Sequence, residues 1–108
     1  MIQTLNNNSF NETIENNGVV LVDFSATWCG PCRALHPTLE AVAQDFKGKA
    51  VIGKVDVDDE PQLSSKYGIT SIPAILYFKN GELMKKQVGN QPKAAISAVL
   101  SELAQTAN

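Results

Sequence analysis

The chain has 108 residues, 44% of them hydrophobic and 19% charged, with a formal net charge of -2. That length suits a single domain spanning residues 1–108 and buries a real core without staples, and the composition excludes a disordered chain. The near-neutral charge speaks against nucleic acid or an anionic membrane as partner, and no apolar stretch approaches the roughly 20 residues of a membrane span.

The polar start, Met1 to Asn8, lacks the basic head and apolar centre of a secretory signal, so a cytoplasmic location is expected. Ile2 to Leu5 is a weak strand. Ser9 and Glu12 read as a capping box, with Phe10 and Ile14 on one face of a short helix ending near Gly18. Val19 to Phe24 is apolar except for Asp23, the pattern of a central strand covered on both faces. Cys29-Gly30-Pro31-Cys32 follows, then a helical stripe of Leu35, Leu39, Val42 and Phe46, interrupted by Pro37, which is expected to bend that helix. Lys49 to Val57 reads as a further buried strand, and Leu63 with Tyr67 as a short helix stopping at Gly68. Asn80-Gly81 between Ala74–Phe78 and Leu83–Val88 is a hairpin signal. Pro92 opens a last helix carrying Ile96, Val99, Leu100 and Leu103. The order implies an α/β fold with a mixed sheet and helices on both faces.

The chain holds two cysteines and one histidine, His36. A disulfide closing so short a loop restrains the unfolded chain very little, and a zinc site usually takes four such ligands. The pair is therefore assigned to chemistry. At the start of a helix the first sulfur meets outward-pointing backbone N–H groups that favour thiolate. Cys29 is then the reachable attacking sulfur, and Cys32, about one turn into the helix, is the shielded sulfur that resolves the mixed disulfide. Asp23 is the residue such a strand has least reason to contain. Burial raises a carboxyl pKa, which suits it to proton transfer near neutral pH. His36 reads as an ordinary surface histidine.

The segment from Val22 to Cys32, Ile72-Pro73 with Asn80-Gly81-Glu82, and Val88-Gly89 resemble the three signatures of the thioredoxin family. The resemblance implies the thioredoxin fold, a central mixed five-stranded sheet flanked by four helices. It implies an enzyme, a protein-disulfide reductase of general redox homeostasis that donates electrons to reductive enzymes. Asp23 is implied to assist Cys32 through water, Lys54 to be the buried lysine that tunes Asp23, and Ile72-Pro73 to be a cis bond facing the dithiol. Trp28, Gly30, Pro31, Val57, Ile72, Pro73, Val88 and Gly89 are implied to bind substrate. No bound cofactor or metal is expected. Electrons are implied to come from NADPH through a thioredoxin reductase, and to go to substrates such as ribonucleotide reductase, peroxiredoxins and methionine sulfoxide reductases. A monomer is expected. Three positions depart from the family's habit: Ser25 where many bacterial members have tryptophan, Ala74 where threonine is commoner, and Arg33 where lysine is usual. Trp28 is thereby the only tryptophan, so its fluorescence is expected to report the redox state.

Two alternatives stay open at this level. One is an oxidase or isomerase, against which Gly30-Pro31 and the missing signal argue. The other is a binding module that uses the fold without redox turnover.

Overall fold

The structure is a computed structural model in which residues 1–105 are described. Among them run β1 (Ile2–Thr4), α1 (Asn7–Asn16), β2 (Val19–Ser25), α2 (Gly30–Asp45), β3 (Val51–Asp56), α3 (Pro61–Lys66), β4 (Ala74–Lys79), β5 (Glu82–Val88) and α4 (Lys93–Gln105). The strands form one sheet in the order β1-β3-β2-β4-β5. β3 pairs in parallel with β1 and β2, whereas β4 runs antiparallel to β2 and β5. The sheet is mixed and five-stranded, with four helices, as expected.

β2 lies at the centre because its sequence is apolar at successive positions, and a strand's side chains alternate between faces. Val19 and Leu21 pack with Leu35, Leu39, Val42, Ile96 and Leu100, the inward faces of α2 and α4. Val20, Val22 and Phe24 pack with Phe10, Ile14 and Leu63 on the side of α1 and α3. The alternation puts Asp23 on the α2 side, where it is the one buried charged residue among those described.

Several boundaries differ from the sequence reading, each for a local reason. The cap of α1 is Asn6, not Ser9. The Asn6 side chain accepts from the Asn8 and Ser9 amides at 2.9 Å, and Ser9 Oγ accepts from the Asn6 amide at 3.0 Å. Ser9 is thus the reciprocal partner within the box, an arrangement worth about 1 kcal/mol at the cap. β3 begins at Val51 rather than Lys49, because the Lys49 and Ala50 amides turn back to the Phe46 carbonyl (2.8 and 3.0 Å) and close the end of α2. Pro92 stands just before α4, where its carbonyl accepts from Ala95 and Ile96 (3.0 and 3.3 Å). α2 continues through Pro37. That proline is exposed, so the hydrogen bond it withholds from the preceding turn is lost on the solvent side.

The β4–β5 hairpin turns at Asn80 (φ 52°) and Gly81 (φ 85°). Two successive positive φ angles are the backbone of a two-residue turn matched to strand twist, which explains the Asn-Gly pair. The register Ala74↔Val88 brings the far end of β5 back beside the start of β4, level with the end of β2 that leads into the dithiol.

Candidate active site

The dithiol sits where β2 ends and α2 begins. Cys29 is the N-cap of α2, with Gly30 and Pro31 as its first residues, so proline occupies a position whose amide has no intrahelical partner. Cys29 and Cys32 are joined in a disulfide with Cα atoms 5.2 Å apart, within the ordinary span for such a bond. The Cys32 amide points at Cys29 Sγ from 3.2 Å. This is the donor expected to favour negative charge on that sulfur once the bond opens.

As whole residues the two cysteines do not differ in exposure. Cys29 is 5% and Cys32 4% exposed, so both residues are buried in the disulfide state. The reason lies in their shared cover: the two pack with Ala26 into one small cluster, against which Val57 and Ile72 lie. What separates them is their surroundings. Cys29 holds the helix cap, whereas Cys32 lines a cavity of about 330 Å³ together with Asp23, Lys54, Arg33 and His36.

Asp23 is 3% exposed, and its Oδ1 has no hydrogen-bond partner. Burial pushes its carboxyl from the ordinary 3.8 up to about 7, and the positive charge of Lys54 pulls the other way. Lys54 faces it by register, because Asp23 and Lys54 are partners in the parallel β2–β3 ladder. The arrangement is a carboxyl poised near neutrality that shares a cavity with the inner cysteine.

Around the disulfide the remaining predicted residues fall into place unevenly. Trp28 is 66% exposed, and its Nε1 donates to Asp58 Oδ2 at 2.8 Å, which fixes the ring over the loop that follows β3. Gly30 and Pro31 are exposed. Val57 and Ile72 are half-buried against the cysteines. Pro73 is buried, follows a cis peptide at Ile72 and accepts from the Gly89 amide at 2.8 Å. Gly89 has φ 92°, a backbone that favours glycine. Val88 is 51% exposed on edge strand β5. Trp28, the only tryptophan in the chain, precedes Cys29 and is open to water, so its emission is expected to change when the disulfide is reduced. Identical spectra before and after reduction would refute this.

Sequence reasoning missed four members of the site. His36 lies one helical turn beyond Cys32 and lines the cavity, with Nε2 3.2 Å from Glu40 Oε2. Its spacing of four from Cys32 was the available signal. Ser25, two residues after Asp23 on the same strand face, and its ladder partner Asp56 also line the cavity. Asp58, which holds Trp28, sits in a turn and carried no signal of its own. Among the described residues, no group of three or more His, Cys, Asp or Glu side chains could hold a metal ion. No helix among them is long and apolar enough to cross a membrane.

A Cys-x-x-Cys disulfide whose first cysteine caps a helix on a mixed sheet, with a buried carboxyl nearby, defines a protein of thiol–disulfide exchange. A thioredoxin family model matches residues 1–102. Thioredoxin of Staphylococcus epidermidis is 48% identical over 101 residues, covering 94% of this chain and 96% of that protein. Thioredoxin of Staphylococcus haemolyticus is 46% identical over the same length and coverage. A mutant thioredoxin from Halobacterium salinarum superposes with a TM-score of 0.90 at 31% identity, covering 98% of this chain and 93% of that one. Malassezia sympodialis thioredoxin superposes with a TM-score of 0.88, also at 31% identity, covering 96% and 91%. The chain belongs to the thioredoxin family and is a thiol–disulfide oxidoreductase with a redox-active cysteine pair.

Proposed function

We propose that this oxidoreductase works as a reductant of protein disulfides, with Cys29 attacking, Cys32 resolving and Asp23 moving the proton. In the reduced protein the Cys29 thiolate attacks one sulfur of a substrate disulfide. That bond breaks, its second sulfur leaves and takes a proton, and a Cys29–substrate disulfide forms. Cys32 then gives its proton to Asp23 through the shared cavity, and the new thiolate attacks Cys29. The substrate's first cysteine leaves as thiolate, and the Cys29–Cys32 disulfide remains. Two electrons have passed from the dithiol to the substrate. Lys54 keeps the Asp23 carboxyl from rising further and so leaves it able to accept a proton near neutral pH.

Trp28, Gly30, Pro31, Val57, Ile72, Pro73, Val88 and Gly89 form the surface on which substrate rests, with an extended segment lying along the Ile72 backbone as in strand addition. Electrons reach the disulfide from NADPH through a thioredoxin reductase. They pass on to ribonucleotide reductase, peroxiredoxins and methionine sulfoxide reductases. The protein acts as a monomer in the cytoplasm, with no bound cofactor and no nucleic acid or membrane partner. The observation that carries this reading is the division of surroundings: Cys29 on the helix cap, Cys32 in the cavity of Asp23.

The test is insulin-disulfide reduction driven by NADPH and a thioredoxin reductase. Wild-type protein is expected to turn over, and Cys29→Ser to fall to background. Equal rates for the two would overturn the reading, and an equilibrium with glutathione in the isomerase range would reverse its direction.

A further inference from the structure

Arg33 is exposed and stands one residue beyond Cys32, yet its guanidinium folds back across the dithiol turn. Its Nη1 donates to the Thr27 carbonyl at 2.8 Å. Its Nη2 lies 3.9 Å from where a Cβ on Gly30 would stand. The planar fork therefore reaches from the residue before Trp28 to the first residue of α2, and Cys29 lies between these two points. The turn's backbone bonds are few: the Cys29 amide to the Ala26 carbonyl at 3.2 Å, and the Arg33 amide to the Cys29 carbonyl at 3.1 Å.

We infer that Arg33 is a positioning residue, whose hydrogen bond to Thr27 pins the turn that carries Cys29 and so keeps the Cys29 sulfur aimed at the amides of α2. The inference rests on Cys29 being the attacking thiolate, as proposed above. An N–H group stabilises a thiolate only while distance and angle are kept, because the interaction weakens steeply with misalignment. A turn free to swing would lose part of that stabilisation, and its thiol would become less acidic. Lysine, the family's usual residue here, carries the charge as a point on a flexible stem, whereas arginine presents a rigid fork suited to holding a carbonyl.

The guanidinium also brings a positive charge, and tether and charge must be told apart. The other charged or titratable groups around the turn are Asp23 on β2, Lys54 and Asp56 on β3, Asp58 beyond it, and Cys32 and His36 on α2. An exposed charge acts through solvent and fades in high salt, while a hydrogen bond that fixes geometry persists.

The experiment follows alkylation of the reduced protein by iodoacetamide against pH, with mass mapping of the cysteine that reacts first. Wild type and Arg33→Met are compared at about 0.1 M and about 1 M NaCl, where the screening length falls from about 10 Å to about 3 Å. Arg33→Met is expected to slow Cys29 alkylation below neutral pH by about 3- to 5-fold, and to keep that deficit in high salt. A deficit that vanishes in high salt, or rates equal to wild type throughout, overturns the tether while leaving the cysteine roles intact. First reaction at Cys32 overturns the tether and the cysteine roles together.

Discussion

Cys32→Ser is expected to stop turnover after one chemical step and leave the protein bonded to its substrate. The Cys29 sulfur retains its place as N-cap of α2, facing the backbone amide of residue 32, so the attack on a substrate disulfide survives. What is lost is the thiolate that would displace the substrate from Cys29. No other thiol replaces it, because the chain contains only two cysteines. Release then depends on an outside thiol, and intramolecular attack by a well-placed group exceeds that by an effective molarity of about 10⁵ or more. Covalent adducts should accumulate with reducible substrate proteins and dissolve on adding dithiothreitol. Non-reducing electrophoresis or intact mass measures this directly. If the serine variant released reduced substrate at the wild-type rate, the resolving role would belong elsewhere.

Asp23→Asn should slow resolution and strengthen the fold, and the two effects share one cause. The carboxyl is buried, and its pKa is pushed up to about 7. In the wild type, the fraction of Asp23 able to accept the Cys32 proton grows as pH rises through about 7. The asparagine variant has no such acceptor and must wait for the thiol to ionise unaided, near 8.5 for an ordinary cysteine. General-base assistance of this kind is worth about 10²-fold, so mixed-disulfide release should fall by that order at pH 7. The gap should close above pH 9. Superimposable pH–rate profiles would remove Asp23 from the reaction.

The same shift acts on stability. The folded chain holds the Asp23 proton up to about pH 7, whereas the unfolded chain releases it near 3.8. Between those values the unfolded state binds fewer protons, so wild-type stability falls as pH rises from about 4 to about 7 and levels off above. The penalty at the plateau is of the order of 4 kcal/mol at most. Asp23→Asn removes it and adds an amide that must find its own partner, so a net gain of about 1–3 kcal/mol is expected at pH 8. At pH 4 the gain should be near zero. Denaturant melts at the two pH values decide it, and a gain that fails to grow with pH would contradict the assigned burial cost.

Much of the architecture was readable locally because short-range physics decides it. The apolar run of β2, broken only by Asp23 before Ser25, had no option but the centre of the sheet, and Asn80-Gly81 satisfied the two positive φ angles of its turn. Cys-Gly-Pro-Cys ahead of a helical stripe located the dithiol, since its spacing and its place at a helix start are both properties of a few consecutive residues. Asp23 stood out because a carboxylate is costly on a strand with two covered faces. The cap of α1 was misread where two neighbouring residues, Asn6 and Ser9, both supply cap chemistry and only the backbone angle at Asn6 chooses between them.

Tertiary structure alone decided how the site is walled. Asp23 meets Lys54 through a strand register that joins residues more than thirty positions apart, and α2 closes the space with Cys32, Arg33 and His36. Trp28 is held by Asp58 from a turn after β3, and Gly89 reaches Pro73 only because β5 returns beside β4. The equal burial of Cys29 and Cys32 likewise belongs to no local pattern, because Val57 and Ile72 cover both from distant parts of the chain. Periodicity and capping fix where each element lies and which way it faces; the environment of a buried group depends on which distant side chains come to surround it, and that is set when the elements pack.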